Sequence, residues 1–590
     1  MRACSARFIV AKPIVPARRC IVLAGACLVL AQVAAAADAD ASRSDSGKKN
    51  EDSAPAVHFK AEQQASKGSV TVDSRRIDYD AYAGTLVVHP KGWDDVPQNA
   101  PPDEDKNPRP EASMFYVAYF KSEGGAARSG KGAGDRPDNP DKPDKADKGG
   151  EGDAVEHIEG HARPPRPLTF LFNGGPGSAS VWLHMGAFGP KRVVTADDAH
   201  TPAAPYALVN NAFSLLDASD LVFVDAPGAG FSRIAGKDRE KAFYGVDADA
   251  QAFADFIVQF LSKYGRWNSA KYLFGESYGT TRAAALVSVL ETERYVDFNG
   301  VILLSQILNF DDSPDQPELN PGIDLPYELV LPSYAATAWY HHKLPNATTE
   351  LAPLLQQVEA YALSDYALAL HAGASLGEAQ REAVAARLHE YTGLPVDYIL
   401  KADLRINGPE FDKTLQQDSD MTTGRLDARF SGPTIDPLSK QADYDPLEAA
   451  IASAYVSLFN DYVRKELKYG QDREYRLFAD VKEWNLQHQV PGGATPQQQQ
   501  NVNVMPDLAL AMKYNPGLHV MLNGGYFDLG TPYFAAEYEM QHLTIPAAVR
   551  RNIEYAFYPS GHMVYAHEAA LQQMHARVAD FIRRTSAKAQ

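Results

Sequence analysis

The first half of the chain alternates short apolar runs with stretches in which apolar residues recur at helical spacing. The runs are almost uniformly hydrophobic, which is typical of strands covered on both faces. They span residues 168–172, 220–224, 271–274 and 300–304. Between residues 244 and 264, Phe253, Ile257 and Phe260 fall on one face of a predicted helix. This alternation predicts an α/β protein with a mostly parallel sheet and helices on both of its faces.

The remaining pattern extends this core and interrupts it. Further strands are predicted at residues 69–72, 84–88, 113–120, 518–522 and 553–557, with a last helix at about 568–583. From about 311 to 506 the spacing is mainly helical, which predicts a helical cap over one edge of the sheet. The predicted organisation is therefore a polar linker at 38–67, a core at 68–310, the cap at 311–506, and a second part of the core at 507–590.

The first 37 residues predict a secretory signal peptide. Five basic residues precede an apolar run from Cys20 to Val33, and four alanines follow it at 34–37. The chain's three cysteines (Cys4, Cys20 and Cys27) lie inside this segment, so the mature protein has none. A large secreted protein without a disulfide favours the bacterial periplasm. No later run is long enough to predict a stable membrane span.

Two polar features limit the possible partners. Residues 121–167 are dominated by Gly, Lys, Asp and Pro, and predict a disordered insertion between two strands. The net charge of −18 becomes −23 when the five basic residues of the signal peptide are removed. So acidic a protein is not expected to bind nucleic acid or an anionic membrane.

The candidate chemistry begins at residues 275–279, which read Gly-Glu-Ser-Tyr-Gly between a strand and a helix. A serine at such a junction lies in a tight, strained turn with its hydroxyl exposed above the sheet. The same turn directs the N–H of Tyr278 towards whatever Ser277 attacks. The pentapeptide alone is equally compatible with an ordinary glycine-rich turn, so its interpretation depends on further residues.

A nucleophilic serine needs a base, an acid that orients the base, and an oxyanion hole. Asp528 and His562 each follow a predicted strand, at the sheet edge where Ser277 lies, and in the chain order that this architecture requires. An isolated loop aspartate or histidine has an ordinary structural explanation, but all three in order favour a catalytic triad. The loop 173–177 (Asn-Gly-Gly-Pro-Gly) ends another strand, and its glycines allow backbone N–H groups to approach a ligand.

At this point the chain resembles the serine carboxypeptidase family of α/β-hydrolases. The resemblance rests on the motifs at 173–177, 188–190, 224–232, 275–279, 524–530 and 561–563. It implies an α/β-hydrolase fold with Ser277 as the acylated nucleophile, His562 as general base and then acid, and Asp528 as its orienting carboxylate. It also implies an oxyanion hole formed by the amides of Gly175 and Tyr278.

The resemblance further implies a site for the terminal carboxylate of a peptide substrate, formed by Asn173 and Glu276, with Gly174 beside them. A carboxylate can lie beside Glu276 only if the two share a proton, which favours acidic pH. One residue departs from the family pattern: its second carboxylate-binding glutamate corresponds to Ala187 here.

The predicted function is that of a serine-type carboxypeptidase acting on peptides. The alternatives are an esterase or acyltransferase of the same fold, and a catalytically silent binding protein. The sequence contains no metal or nucleotide motif, so no metal and no cofactor is expected. It predicts no particular oligomeric state.

Overall fold

The computed structural model describes residues 59–93, 109–122, 165–346, 350–491, 498–499 and 501–587. The predicted signal peptide at 1–37, most of the linker at 38–67, and residues 123–164 of the predicted insertion lie outside these ranges. Those assignments therefore stay predictions.

The centre of the described structure is a ten-stranded mixed sheet. Its strands are β1 (Gln63–Val72), β2 (Arg75–Val88), β3 (Glu111–Lys121), β4 (Leu168–Phe172), β5 (Asp220–Val224), β6 (Arg233–Ala235), β7 (Lys271–Glu276), β8 (Gly300–Leu304), β9 (His519–Gly525) and β10 (Ile553–Tyr558). They are arranged in the order β1-β2-β3-β5-β4-β7-β8-β9-β10, and β6 pairs with β3. In this order β5, β4, β7, β8, β9 and β10 run parallel to one another, whereas β1, β2 and β3 pair antiparallel with their neighbours. This topology confirms the predicted α/β-hydrolase fold.

The described part of the chain contains fourteen α-helices. They are α1 (Arg239–Phe243), α2 (Val246–Tyr264), α3 (Tyr278–Thr292), α4 (Leu325–Tyr340), α5 (Leu351–Tyr361), α6 (Ala367–Ala372), α7 (Glu378–Thr392), α8 (Val396–Lys401), α9 (Gly408–Thr414), α10 (Pro446–Lys465), α11 (Met505–Tyr514), α12 (Tyr533–Gln541), α13 (Ala547–Arg550) and α14 (Glu568–Ser586). Helices α2, α3 and α11 pack side by side, and α14 packs against β8 and β9. None of the helices described is both long and apolar enough to cross a bilayer.

Short elements lie outside the sheet. Two-stranded pairings join Lys191–Val193 to Leu208–Asn210, Met421–Thr423 to Ser431–Pro433, and His488–Gln489 to Gln498–Gln499. Segments Leu183–Phe188 and Ala362–Tyr366 are π-helical.

The N-terminal boundary of the core differs from the prediction at residue 68, because β1 begins at Gln63. The first residues of β1 are polar and exposed, and only Val70 and Val72 are fully buried. A pattern of apolar residues therefore detects only the end of this strand, whereas its start depends on pairing with β2, where Gln63 faces Gly84.

The interval predicted as a cap, 311–506, divides between two hydrophobic clusters. Apolar residues of α4, α5, α7, α8 and α9 form a cluster of their own, which also includes Phe527 and Leu529. Residues of α10 and the segment up to Val504 instead pack into the cluster around the sheet. The separate cap is thus smaller than predicted, because the apolar face of α10 covers Trp182 and other residues that follow β4.

Candidate active site

Ser277 connects β7 to α3 in a strained turn. Its backbone has φ 61° and ψ −132°, a conformation that L-residues rarely adopt. The turn is fixed from both sides, because the Ser277 N–H donates to the carbonyl of Leu304 (3.0 Å) and its carbonyl accepts from the N–H of Thr280 (2.8 Å). The structure therefore has the elbow geometry that the pentapeptide predicts.

Three glycines allow close backbone packing at the elbow, two of them between the elbow and the loop after β4 and one within the elbow. A Cβ on Gly174 would collide with the amide nitrogen of Tyr278 and lie 2.7 Å from the carbonyl oxygen of Glu276. A Cβ on Gly279 would lie 2.9 Å from the carbonyl oxygen of Phe172, and one on Gly275 would collide with the Gly279 carbonyl. The sequence selects glycine here because no side chain fits.

This packing brings the two candidate oxyanion-hole residues into adjacent segments. Gly175 has φ +103°, which favours glycine, and it precedes a turn in which the N–H of Ser178 donates to the carbonyl of Gly174 (2.9 Å). Among the described residues, the N–H groups of Gly175 and Tyr278 have no backbone acceptor. The oxyanion role of this pair stays a prediction.

Asp528 and His562 lie together, as the sequence predicts. Asp528 Oδ2 is 2.7 Å from His562 Nδ1, and both side chains are buried. Asp528 also accepts from the N–H groups of Gly530 and Thr531 (both 2.9 Å) and from the Thr531 hydroxyl (2.7 Å). Burial would lower the pKa of His562, but the attraction of Asp528 and Glu276 outweighs burial and raises it. Asp528 is therefore held as an oriented acceptor for Nδ1, which leaves Nε2 for the reacting group.

The histidine loop reaches the elbow through β8. The strand ends at Leu304, which accepts from Ser277, and the next residue, Ser305, donates its hydroxyl to the carbonyl of His562 (2.6 Å). The N–H of Ser305 donates to the carbonyl of Asn523 in β9 (2.8 Å). Residues at the ends of four neighbouring strands, β7 to β10, thus meet at one edge of the sheet.

Residues 425–429, a segment of the predicted cap that no sequence motif indicates, bind the loops that carry Asp528 and His562; we call these residues the strap. The carbonyl of Arg425 accepts from the N–H of Leu529 (3.0 Å), and that of Leu426 accepts from the N–H of His562 (2.6 Å). Asp427 is fully buried, pairs with Arg429 (2.6 Å), and accepts from the N–H of Gly561. The strap therefore holds the residues on either side of the Asp528–His562 pair.

Glu276 occupies a buried pocket beside His562. Asn173 Nδ2 donates to Oε2 (2.8 Å), and the Tyr565 hydroxyl lies 3.0 Å from Oε1 and 2.9 Å from Oε2. Burial raises the pKa of Glu276 to about 7, against the opposing effects of His562, Tyr565 and Asn173. This carboxyl group therefore changes its protonation near neutral pH.

Asn173, which the sequence assigns to the same carboxylate site as Glu276, is thus its hydrogen-bond partner, and Tyr565 is an additional one. Ala187 is fully buried in the π-helical turn Leu183–Phe188, where its carbonyl accepts from Asn211 (2.7 Å). It brings no acid to the pocket. Tyr565 was missed because no motif marks it; its only signal is a position three residues after His562.

A buried ion pair fixes the loop that carries Asn173. Arg282 of α3 donates to the carbonyl of Asn173 (2.7 Å) and pairs with Asp249 of α2 (2.6 Å), and neither charged side chain is exposed. An unpaired charge at such depth would be strongly destabilising, so Arg282 and Asp249 have to stay together. The position of the Asn173 loop therefore depends on both α2 and α3.

A mostly parallel sheet, a strained serine elbow and a buried His–Asp pair at the same edge define a serine hydrolase of the α/β-hydrolase fold. Residues 157–315 match the model of the serine carboxypeptidase family, which confirms the resemblance over the segment that carries the 173–177 loop and Ser277. The match covers about a quarter of the chain and ends before Asp528 and His562. In the described ranges no group of three or more His, Cys, Asp or Glu could hold a metal ion.

A comparison with curated proteins finds no match. Among solved structures, proline iminopeptidase of Mycobacterium smegmatis is 12% identical with a TM-score of 0.31, covering 89% of this chain and 100% of its own. A peroxisomal α/β-hydrolase of Saccharomyces cerevisiae is 11% identical with a TM-score of 0.28, covering 90% and 92%. A monoacylglycerol lipase of Paleococcus ferrophilus is 11% identical with a TM-score of 0.27, covering 71% and 94%. At these TM-scores the fold assignment rests on the strand order given above.

Proposed function

We propose that this protein is a serine-type carboxypeptidase that releases C-terminal residues from peptides through an acyl-enzyme intermediate. The observation that carries the proposal is the buried carboxyl group of Glu276, directly before Ser277, with an amide and a phenol as its neutral partners. Such a pocket suits a second carboxyl group at the end of a substrate. The family match over residues 157–315 supports the same reaction class.

In the proposed reaction Ser277 Oγ attacks the last peptide carbonyl while His562 Nε2 takes its proton. Asp528 orients His562 and stabilises its charged form. The N–H groups of Gly175 and Tyr278 donate to the oxyanion. The intermediate then collapses: the C–N bond breaks, and His562 returns the proton to the departing amine. Water repeats the attack on the acyl-enzyme, with His562 again as base, and releases the shortened peptide.

Recognition of the terminal carboxylate would set the pH dependence. Two adjacent carboxylates repel each other unless they share one proton, so Glu276 has to be protonated when the substrate binds. With its pKa at about 7, this requirement fails as pH rises above neutrality. His562 has to be neutral to act as base, and its raised pKa limits activity on the acidic side. We therefore expect a maximum below neutral pH.

The test is a pair of blocked dipeptides that differ only at the C-terminus, one a free acid and the other its amide. We expect kcat/KM to be higher for the free acid at pH 6, and both activities to vanish in Ser277→Ala. Equal values for acid and amide would reject the carboxypeptidase and leave an esterase or acyltransferase of the same fold. Absence of labelling by a fluorophosphonate would favour the silent binding protein.

We further propose that residues 1–37 direct the chain to the bacterial periplasm and are removed there. The basic start, the apolar run and the following alanines support this. Mass spectrometry of the N-terminus of the protein from a periplasmic fraction should find a mature chain that begins close to Asp38. Recovery of the uncleaved chain from the cytosol would overturn the proposal.

A further inference from the structure

We infer that Tyr565 is a specificity-determining residue, whose phenolic hydroxyl donates to the terminal carboxylate of the substrate at the place where Ala187 offers no acid. The inference rests on the proposed function. It concerns a residue outside the segment that matches the family model, and one that no motif of the sequence marks.

The first argument is the position of the hydroxyl. It lies within hydrogen-bonding distance of both oxygens of Glu276, at 3.0 and 2.9 Å, and it shares the Oε2 oxygen with Asn173. A group that binds a carboxylate next to Glu276 would meet this hydroxyl as well.

The second argument is which groups of the pocket can donate a hydrogen bond. A phenol can donate one hydrogen bond and accept others. When Glu276 is ionised, it accepts a hydrogen bond from the Tyr565 hydroxyl; when Glu276 is protonated and shares its proton with the substrate carboxylate, it is a weaker acceptor for that hydroxyl. The Tyr565 proton is then free to turn to a substrate carboxylate. Burial holds the pKa of Tyr565 well above its usual value, so the hydroxyl keeps its proton throughout the working range.

The third argument is that the ring is fixed and excludes a longer side chain nearby. Tyr565 is buried in the short turn Val564–Ala566 that follows His562. A Cβ on Gly186 would lie 2.7 Å from the Tyr565 ring and would collide with the hydroxyl of Tyr455. Gly186 directly precedes Ala187, so the aromatic ring packs against the segment from which a second acid would have come.

The experiment compares the free-acid and amidated dipeptides in Tyr565→Phe, which removes only the hydroxyl. We expect kcat/KM for the free acid to fall about tenfold, mainly through KM, because a hydrogen bond to a charged group is lost. The amide should change less than about twofold, since it presents no charge to this hydroxyl. The matched control is Tyr272→Phe, which removes another buried hydroxyl, bound to Thr585 at the opposite end of β7; its acid-to-amide ratio should equal that of the wild type.

Binding without chemistry gives a second measurement. In a Ser277→Ala background, calorimetry should find that Tyr565→Phe raises the Kd of the free acid about tenfold and leaves that of the amide unchanged. If the wild-type enzyme itself does not prefer the acid, the proposed function fails. The inference alone is overturned if the wild type prefers the acid and Tyr565→Phe has the same acid-to-amide ratio of kcat/KM, including the case in which kcat/KM falls equally for both substrates. The proposed function then stands.

Discussion

The two sides of the candidate active site are built in different ways. On the elbow side, residues 173–177 and 275–279 meet through backbone atoms, and glycines provide the space. On the acid–base side, Asp528 and His562 are held by side chains and by the strap, whose Arg429 lies 131 residues before its contact Ser560. The elbow side is therefore specified by two short motifs, whereas the other side also needs a segment that no motif marks to fold around it.

The difference predicts how each side fails. A change on the elbow side has to move backbone, and so affects the attacking group and the oxyanion hole together. A change on the acid–base side leaves the serine in place and alters the position of the base. The following changes are ordered from the largest expected effect to the smallest.

Gly174→Ala should be the most damaging, because the new methyl group has only backbone atoms to displace, including the Tyr278 amide. If it pulls the loop away from the elbow, one oxyanion donor is lost and kcat falls roughly 10²–10³-fold. Steady-state kinetics on an ester and a peptide should give the same loss. The control is Gly524→Ala, which should stay active because its methyl group would meet only side-chain atoms at 3.5–3.7 Å. Full activity in Gly174→Ala would contradict the importance of its backbone contact.

Asp427→Asn tests the strap. It leaves Arg429 without its buried partner, and breaking a buried pair costs about 3–5 kcal/mol of stability. We expect a lower melting temperature and a lower kcat with little change in KM, because the N–H of Gly561 loses a charged acceptor beside His562. The control is Asp418→Asn, which breaks the cap ion pair with Lys343. A variant as active and stable as the wild type would show that the strap merely covers the loops.

Glu276→Gln should change the shape of the pH profile more than its height. The wild-type kcat/KM for the free acid should fall roughly tenfold per pH unit above the Glu276 pKa of about 7, since only the protonated carboxyl accepts a second carboxylate. Glutamine keeps donors but does not titrate, so this fall should disappear. Profiles of the amidated peptide serve as control, because they should lack the fall in both proteins. An unchanged fall in the variant would assign it to another group.

Replacing residues 123–164 with a short Gly/Ser linker should have the smallest effect. Their composition offers little to bury, and the flanking residues are already close to one another, because Lys121 N–H and Arg166 both bind Asp220 Oδ1 (3.0 and 3.1 Å). Activity and melting temperature should stay within error of the full-length chain. A marked loss of either would show that the segment packs or binds.

The same contrast explains how much could be predicted from the sequence. Ser277, Asn173 and the glycines were found because both partners of their contacts lie in recognisable short motifs. Asp528 and His562 were found only through chain order after strands. The strap and Tyr565 were not found, because their roles depend on contacts between residues far apart in the chain, which no local pattern records.

The errors in the fold have the same cause. Helical spacing identified α10 but could not say which surface its apolar face covers, so it was assigned to the cap rather than to the sheet. The start of β1 was missed because its polar residues belong to a strand only through β2. Periodicity thus identifies a helix or strand in these two cases, but it does not identify the element against which that helix or strand packs.

The strap also limits how this enzyme can be re-engineered. Helical caps are attractive units to exchange when a hydrolase is to receive a new substrate, and residues 325–414 contribute most of the second hydrophobic cluster, which also includes Phe527 and Leu529. A graft that also removed residues 425–429 would take away the carbonyl that binds the His562 N–H and the partner of Gly561. The junction of a chimera should therefore lie before the strap, so that His562, the proposed base, keeps its native hydrogen bond to Leu426.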